Sequence, residues 1–371
     1  LRSGGLPAAA ALPAAAMTIL RLLLAAFLLL AGQALAAAGS EPFVMAGESI
    51  APGARKDLRI PVPAGVDGET FIPVTIIHGR QPGKVLAMVA GVHGFEFAPI
   101  LAAERLAERV DPARLSGTLV IVRIANIPGF EGRSPNVNPV DRKNLNRVFP
   151  GDPNGTQTQR IADLIARHVV APSSFLMDVH SGDGAEFLDA FVGVYGGPLA
   201  TDFPLALKVA RGFGFPNIVR YAMETQAQID SGRSLNRQGV AMGKPTILVE
   251  IGQNGSRDEA HVAAIVAGVE NALAILGMSE AGPTHRTGRE PLLFEGSTSV
   301  AAGHAGVYHP VDPRPRPLAK GEFLGVIRDY TGREVERLIS PVDGYALYGI
   351  TGPPVEAGDP VVTIALPTKA F

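Results

Sequence analysis

Four short stretches of the chain carry the residue types of metal-assisted hydrolysis. In Gly91-Val-His93-Gly-Phe-Glu96 an imidazole and a carboxylate stand three residues apart, where the apolar run Val85–Ala90 ends and a helical pattern begins. Both groups are common zinc ligands, and a catalytic zinc takes three protein ligands with one position left open. Gly91 and Gly94 let the backbone bend tightly between the two. With 8 His in the chain, a bare His-x-x-Glu arises easily by accident, so a third ligand decides its value. Phe175-Leu-Met-Asp178-Val-His180-Ser-Gly182 is another apolar run closed by a glycine turn. It delivers His180 to the edge of the sheet that receives His93, the carboxyl ends of strands, where open α/β sheets bind ligands. The competing role for His180 is that of a hydrogen-bonded residue at a strand end.

Thr246-Ile-Leu-Val-Glu250-Ile-Gly252 places a carboxylate inside an apolar strand, where it is costly to bury without a metal, a water or a cation beside it. Glu250 suits a general base that takes a proton from water and returns it to a leaving nitrogen; a fourth ligand or a structural ion pair are the alternatives. Asp141-Arg142-Lys143-Asn144-Leu145-Asn146-Arg147-Val-Phe-Pro150-Gly151 packs charged and amide groups beside a turn. The planar guanidinium of Arg147, with Asn146, matches a carboxylate, although basic loops are commonly just solvated.

These residues need a scaffold, and the composition supplies one. The 371 residues include 33 Lys+Arg against 35 Asp+Glu, with 46% hydrophobic and 18% charged. That is too apolar for a disordered chain and lacks the cation excess of a nucleic-acid binder. No Cys is present, which leaves His and carboxylates to hold any metal. Strands are expected at Ile72–Ile77, Val85–Ala90, Thr118–Ala125, Phe175–Val179 and Thr246–Ile251, alternating with helices at Ala98–Val110, Gln157–Val169 and Asp258–Leu276. The alternation indicates an α/β layer structure.

A polar stretch with Gly282, Pro283 and Gly288 marks a boundary, giving a hydrolase domain over 37–283 and a β domain over 284–371. Within the latter, Pro317–Ile327 and Pro354–Ile364 resemble each other, each a glycine-acidic turn before an apolar strand. Such a repeat suggests a small pseudo-symmetric barrel-sandwich. It resembles biotinyl and lipoyl carriers, but Thr331–Arg337, between the halves, lacks the lysine a carrier requires, so a lid or substrate-facing wall is the favoured role.

At the start, Met17–Arg21, the apolar Leu22–Leu30 and Ala34-Leu35-Ala36 read as a secretory signal peptide within residues 1–36, with Leu1–Ala16 upstream of the true start. The run is short against the about 20 residues a spanning helix requires; an uncleaved anchor is the alternative. The mature protein is expected to be exported, periplasmic or secreted, with no stable membrane association.

Taken together, G-V-H93-G-F-E96, N-L-N146-R147-V-F-P-G, D-V-H180-S-G and V-E250-I-G resemble the succinylglutamate desuccinylase/aspartoacylase family, a branch of the zinc carboxypeptidase fold, over about Phe71 to Leu276. The resemblance implies a mixed-sheet α/β/α domain followed by a small all-β domain. It implies one Zn2+ on His93, Glu96 and His180, catalysis by Glu250, and a substrate carboxylate held by Asn146 and Arg147. It also implies an arginine that polarises the scissile carbonyl, for which Arg133 is the better match and Arg142 the reserve. Relatives often carry an acid where this chain has Asn144, so support for a ligand histidine falls to that amide or to Asp178. The expected activity is a zinc-dependent amidohydrolase acting on an N-acyl amino acid or short peptide. The alternatives are an exported carboxypeptidase-like enzyme on short or cell-wall peptides, and a non-catalytic binder of acidic ligands. Loops 182–186 and 221–239 would set pocket depth; Arg233 or Arg237 could add a cation, and Tyr308 and Tyr348 are open to core or substrate-facing roles.

Overall fold

A computed structural model describes residues 40–230, 233–280 and 290–371. The expected leader at 17–36 and the expected boundary at 283 both lie outside these residues. Among the described residues no helix is long and apolar enough to cross a membrane.

The centre is a mixed sheet whose middle strands are largely apolar, with Asp178, His180 and Glu250 toward their ends. Phe175–His180 is buried along its whole length and lies parallel to Gln81–Val89 on one side and Thr246–Glu250 on the other. A strand covered on both faces reads as a continuous apolar run rather than an alternation, as Phe-Leu-Met-Asp-Val-His does here. Ser116–Val122, Thr70–His78 and Ala54–Val62 extend the sheet beyond Gln81–Val89. In the other direction Phe191–Gly196 runs antiparallel to Thr246–Glu250, and Asn217–Ala222 follows in parallel.

The five expected strands are present within a few residues of their anticipated ends. The helices form at Phe97–Arg109, Gln157–Ile165 and Glu259–Ile275. The middle one continues as a π-helical turn over Ala166–Val170. Helices Phe97–Arg109, Phe203–Gly212 and Glu259–Ile275 cover one face of the sheet, sealing a core that includes Met88, Phe175, Met177 and Ile247. Gln157–Ile165 covers the other, where Ile76, Val89, Leu176 and Ile161 pack.

The C-terminal lobe is built onto the same sheet. Leu292–Ala301 pairs in parallel with Asn217–Ala222 over its first four residues and antiparallel with Pro360–Thr368 from Leu293 onward, with an irregularity between Phe294 and Ser297. One bent strand thus belongs to both lobes. The two similar segments form matching units, Arg316–Leu318 before Phe323–Arg328 and Pro354–Val355 before Pro360–Thr368. Between the strands of each unit, Gly321 and Gly358 have φ of +84° and +100°, left-handed turn geometry that favours glycine. Tyr308 packs into this lobe's core.

The loop carrying the first histidine is fixed by two glycines for different reasons. Gly91 has φ +67°. Gly94 has no such backbone requirement, but a Cβ there would stand 2.0 Å from the carbonyl carbon of Gly129. Gly94→Ala must therefore push the His93 loop off the segment Ile127–Glu131. It is expected to cost about 1–3 kcal/mol and lower the thermal midpoint, whereas Gly68→Ala, with nothing within 4 Å of its added carbon, is expected to leave the midpoint nearly unchanged in calorimetry.

Candidate active site

The carboxyl ends of three neighbouring strands deliver His93, His180 and Glu250 to one edge of the sheet. His93 follows Gln81–Val89 through the Gly91 turn, and Glu96 stands immediately before helix Phe97–Arg109. His180 and Glu250 end their strands directly opposite each other in register, so their side chains leave the same side of adjacent strands spaced about 4.8 Å apart.

Ligand atoms of His93, Glu96 and His180 lie within 4.8 Å of one another. The two imidazoles turn the same nitrogen inward. His93 Nδ1 is 2.7 Å from Glu96 Oε1, and His180 Nδ1 is 2.9 Å from Glu96 Oε2. Their outward nitrogens face oxygen acceptors: His180 Nε2 lies 2.8 Å from Asp178 Oδ1 and His93 Nε2 3.3 Å from Asn144 Oδ1. An acceptor at Nε2 holds a proton there, so that loss of the proton from Nδ1 would leave a lone pair directed inward. Two inward imidazole lone pairs and a carboxylate are the donor set of a three-ligand zinc centre. Both candidates for ligand support, Asn144 and Asp178, thus stand behind a histidine.

Asp178 is itself held. It is fully buried, and its second oxygen accepts a hydrogen bond from Asn236 Nδ2 at 3.0 Å. Asn236 is carried by helix Leu235–Ala241, capped by Ser234. Asn146 Oδ1 accepts from the first amide of that helix, Leu235 N, at 2.8 Å, while its Nδ2 lies 3.4 Å from His180 Nε2. Asn146 therefore ties the 144–147 turn to the helix behind His180.

The charges shift one another. Burial alone would raise Glu96, but His180 and His93 hold it down to about 2. Burial alone would lower His180, yet Asp178 and Glu96 carry it well above the ordinary imidazole value. Glu250 is pushed well above the ordinary carboxylate value by burial, against the pull of His180 and with the help of Glu96, Glu186 and Asp178. Glu186 rises to about 7 from burial and from the nearby Asp183 and Glu96.

His93, Glu96, His180, Glu186 and Glu250 line a cavity of about 410 Å³ that also receives Arg147, Arg237, Tyr221 and Tyr348. Arg147, Asn146, Glu250 and the three ligand candidates are all in its wall. Arg133 and Arg142 are not. Both sit on exposed left-handed turns, at φ +50° and +58°, and the arginine that the structure brings to the cavity instead is Arg237. Its guanidinium donates to the carbonyl of Gln228, which anchors it from the 221–239 segment. Glu186 reaches the wall because Glu186–Leu188 pairs with Gly344–Ile350 of the C-terminal lobe, the strand that also carries Tyr348.

The fold and site together set three residues that could hold a metal, His93, Glu96 and His180, beside Glu250 on an α/β scaffold. The profile of the succinylglutamate desuccinylase/aspartoacylase catalytic domain matches residues 82–276, and the chain belongs to that family, whose members are deacylases of N-acyl amino acids. It is 29% identical over 270 residues to the N-alpha-acetyl-L-2,4-diaminobutyric acid deacetylase of Halomonas elongata, covering 71% of this chain and 76% of that protein. The fold is shared with the ectoine utilization protein EutE (DoeB) of Ruegeria pomeroyi, at TM-score 0.75 and 23% identity over 88% of this chain and 98% of that one. It is shared too with a succinylglutamate desuccinylase of a Silicibacter species, at TM-score 0.73 and 24% identity over 89% and 99%.

Asp178→Asn is expected to weaken zinc binding about 10–100-fold, read by competition with a chromophoric chelator, with a smaller loss for Asn144→Ala because its contact is longer and neutral. Because Asp178 and Glu96 favour a protonated His180, acidification puts a proton where a metal must bind, and zinc affinity should fall as pH is lowered.

Proposed function

We propose that this protein is a zinc-dependent amidohydrolase that removes the acyl group from an N-acyl amino acid whose carboxylate is held by Arg147 and Asn146. The observation that carries the proposal is the gathering of His93, Glu96 and His180 within 4.8 Å, with Glu250 in register beside His180 on the next strand. Zinc held by those three residues would supply Lewis-acid activation of a water and of the amide carbonyl.

The chain's own groups do the rest. Glu250, with its affinity for protons raised by burial, accepts a proton from the attacking water and returns it to the leaving nitrogen. Arg147 presents a planar pair of donors to the substrate carboxylate, and Tyr221 and Tyr348 narrow the cavity around the bond to be cut. The activity named for the Halomonas elongata relative, deacetylation of an acetylated amino acid, supports this class of substrate. The leader pattern at 17–36 supports export, to be checked by the N-terminus of protein recovered from outside the cytoplasm.

The test is turnover of N-acetyl amino acids and short peptides by the zinc-loaded protein with and without chelator. Chelation should abolish hydrolysis, and restored zinc should recover it. Glu250→Gln should lower kcat by about 10²–10⁴ with bound zinc unchanged. Stoichiometric zinc without chelator-sensitive turnover would instead favour a binding protein.

A further inference from the structure

Beside the metal cluster the cavity continues into a second chamber of about 250 Å³, and the two share Asn136, Glu186 and Pro360. The charged groups lining the chamber are Asp183, Glu186 and Asp359, with no Lys or Arg in its wall. The arginines Arg147 and Arg237 line only the first cavity. A ligand that spans the two meets guanidinium groups in the first cavity, beside Glu96, Glu186 and Glu250, and among charged side chains only carboxylates in the chamber.

Asp359 is exposed and accepts from Glu356 N at 2.8 Å, but the other two acids are short of partners. Asp183 is 3% exposed. One of its oxygens accepts from Ala185 N at 3.0 Å; the other has no partner among the described residues. Glu186 makes no ion pair among the described residues, and its contact there is the amide of Asp183 at 3.4 Å, too long for a strong hydrogen bond. Glu186 is fixed by its register opposite Ile350, and Asp183 is tied to the turn before Glu186 through Ala185 N. Buried carboxylates without a cation are costly, and their retention at a cavity wall fits a cation that arrives from outside. Among the described residues the cluster that could hold a metal is His93, Glu96 and His180, which excludes Asp183 and Glu186. An ammonium group, with three donors for carboxylate and amide oxygens, suits the chamber.

We propose that Glu186, assisted by Asp183, is a specificity-determining residue that binds a protonated amino group of the substrate. This rests on the deacylase reading above and narrows it: the substrate carries an ammonium group as well as a carboxylate and the scissile amide. The ammonium can sit on the amino-acid half, as in an Nα-acyl diamino acid, or on the acyl half, as at the free N-terminus of a dipeptide.

The experiment measures kcat/KM for matched pairs on the zinc-loaded enzyme. Nα-acetyl-2,4-diaminobutyrate and Nα-acetylornithine are paired with N-acetylnorvaline; glycyl dipeptides are paired with their glycolyl counterparts. The wild type should prefer the ammonium member of one pairing, and the pairing that shows it identifies the half. Glu186→Gln should lose about 10–100-fold more on that member than on its neutral partner, chiefly through KM, and Asp183→Asn should lose less in the same direction. Equal hydrolysis of both members by the wild type, or an equal fall on both in Glu186→Gln, overturns the proposal while leaving the deacylase reading standing. If no compound is turned over, the deacylase reading fails. Calorimetric binding of the same pairs then decides the ammonium preference, and equal affinities overturn it.

Discussion

The site depends on one carboxylate shared between two imidazoles. Glu96 bridges His93 Nδ1 and His180 Nδ1 at a place where Glu96 and His180 are 3% and 2% exposed. Taking such charges out of water is expensive, and removing one partner from a buried pair costs about 3–5 kcal/mol because the other is left uncompensated. The cluster therefore persists only while its members are held in register, and much of the surrounding structure serves that end. The Gly91 turn and the close approach of Gly94 to Gly129 place His93; the all-buried strand places His180; Asp178, itself held by Asn236, and Asn144 face the outer nitrogens. The same arrangement brings together ligand atoms that could hold a divalent cation.

The sheet explains why Glu250 lies beside this cluster. It ends the strand next to that of His180, in register with it, and has its own antiparallel neighbour in Phe191–Gly196. Burial and the surrounding acids raise its affinity for protons, against the pull of His180. The C-terminal lobe completes the enclosure. Because Leu292–Ala301 spans both lobes and Gly344–Ile350 pairs with Glu186–Leu188, Tyr348 and Glu186 are positioned by backbone hydrogen bonds.

The parts of this arrangement that could be read from the chain are those where chemistry coincides with a local pattern. His93, His180 and Glu250 each terminate an apolar run before a glycine, so residue type, strand end and turn coincide. The large helices and central strands were legible for the same reason. Phe191–Gly196, Asn217–Ala222 and Phe203–Gly212 were not anticipated, being short segments between polar loops whose burial comes from partners distant in sequence. Glu186, Asn236 and Arg237 reach the cavity from the segments expected to set its depth, but nothing in their immediate neighbours distinguishes them from solvated groups. Arg133 and Arg142 show the converse: charge and nearness to a motif do not direct a side chain when the backbone beneath it sits on an exposed turn.

X-ray absorption of the protein loaded with zinc tests the central arrangement most directly. The account requires one zinc per chain with two imidazole nitrogens at about 2.0–2.1 Å and an oxygen-only remainder, and His180→Ala must remove one of the two imidazoles. A shell with fewer than two imidazoles in the unmodified protein, or one left intact by His180→Ala, would contradict it.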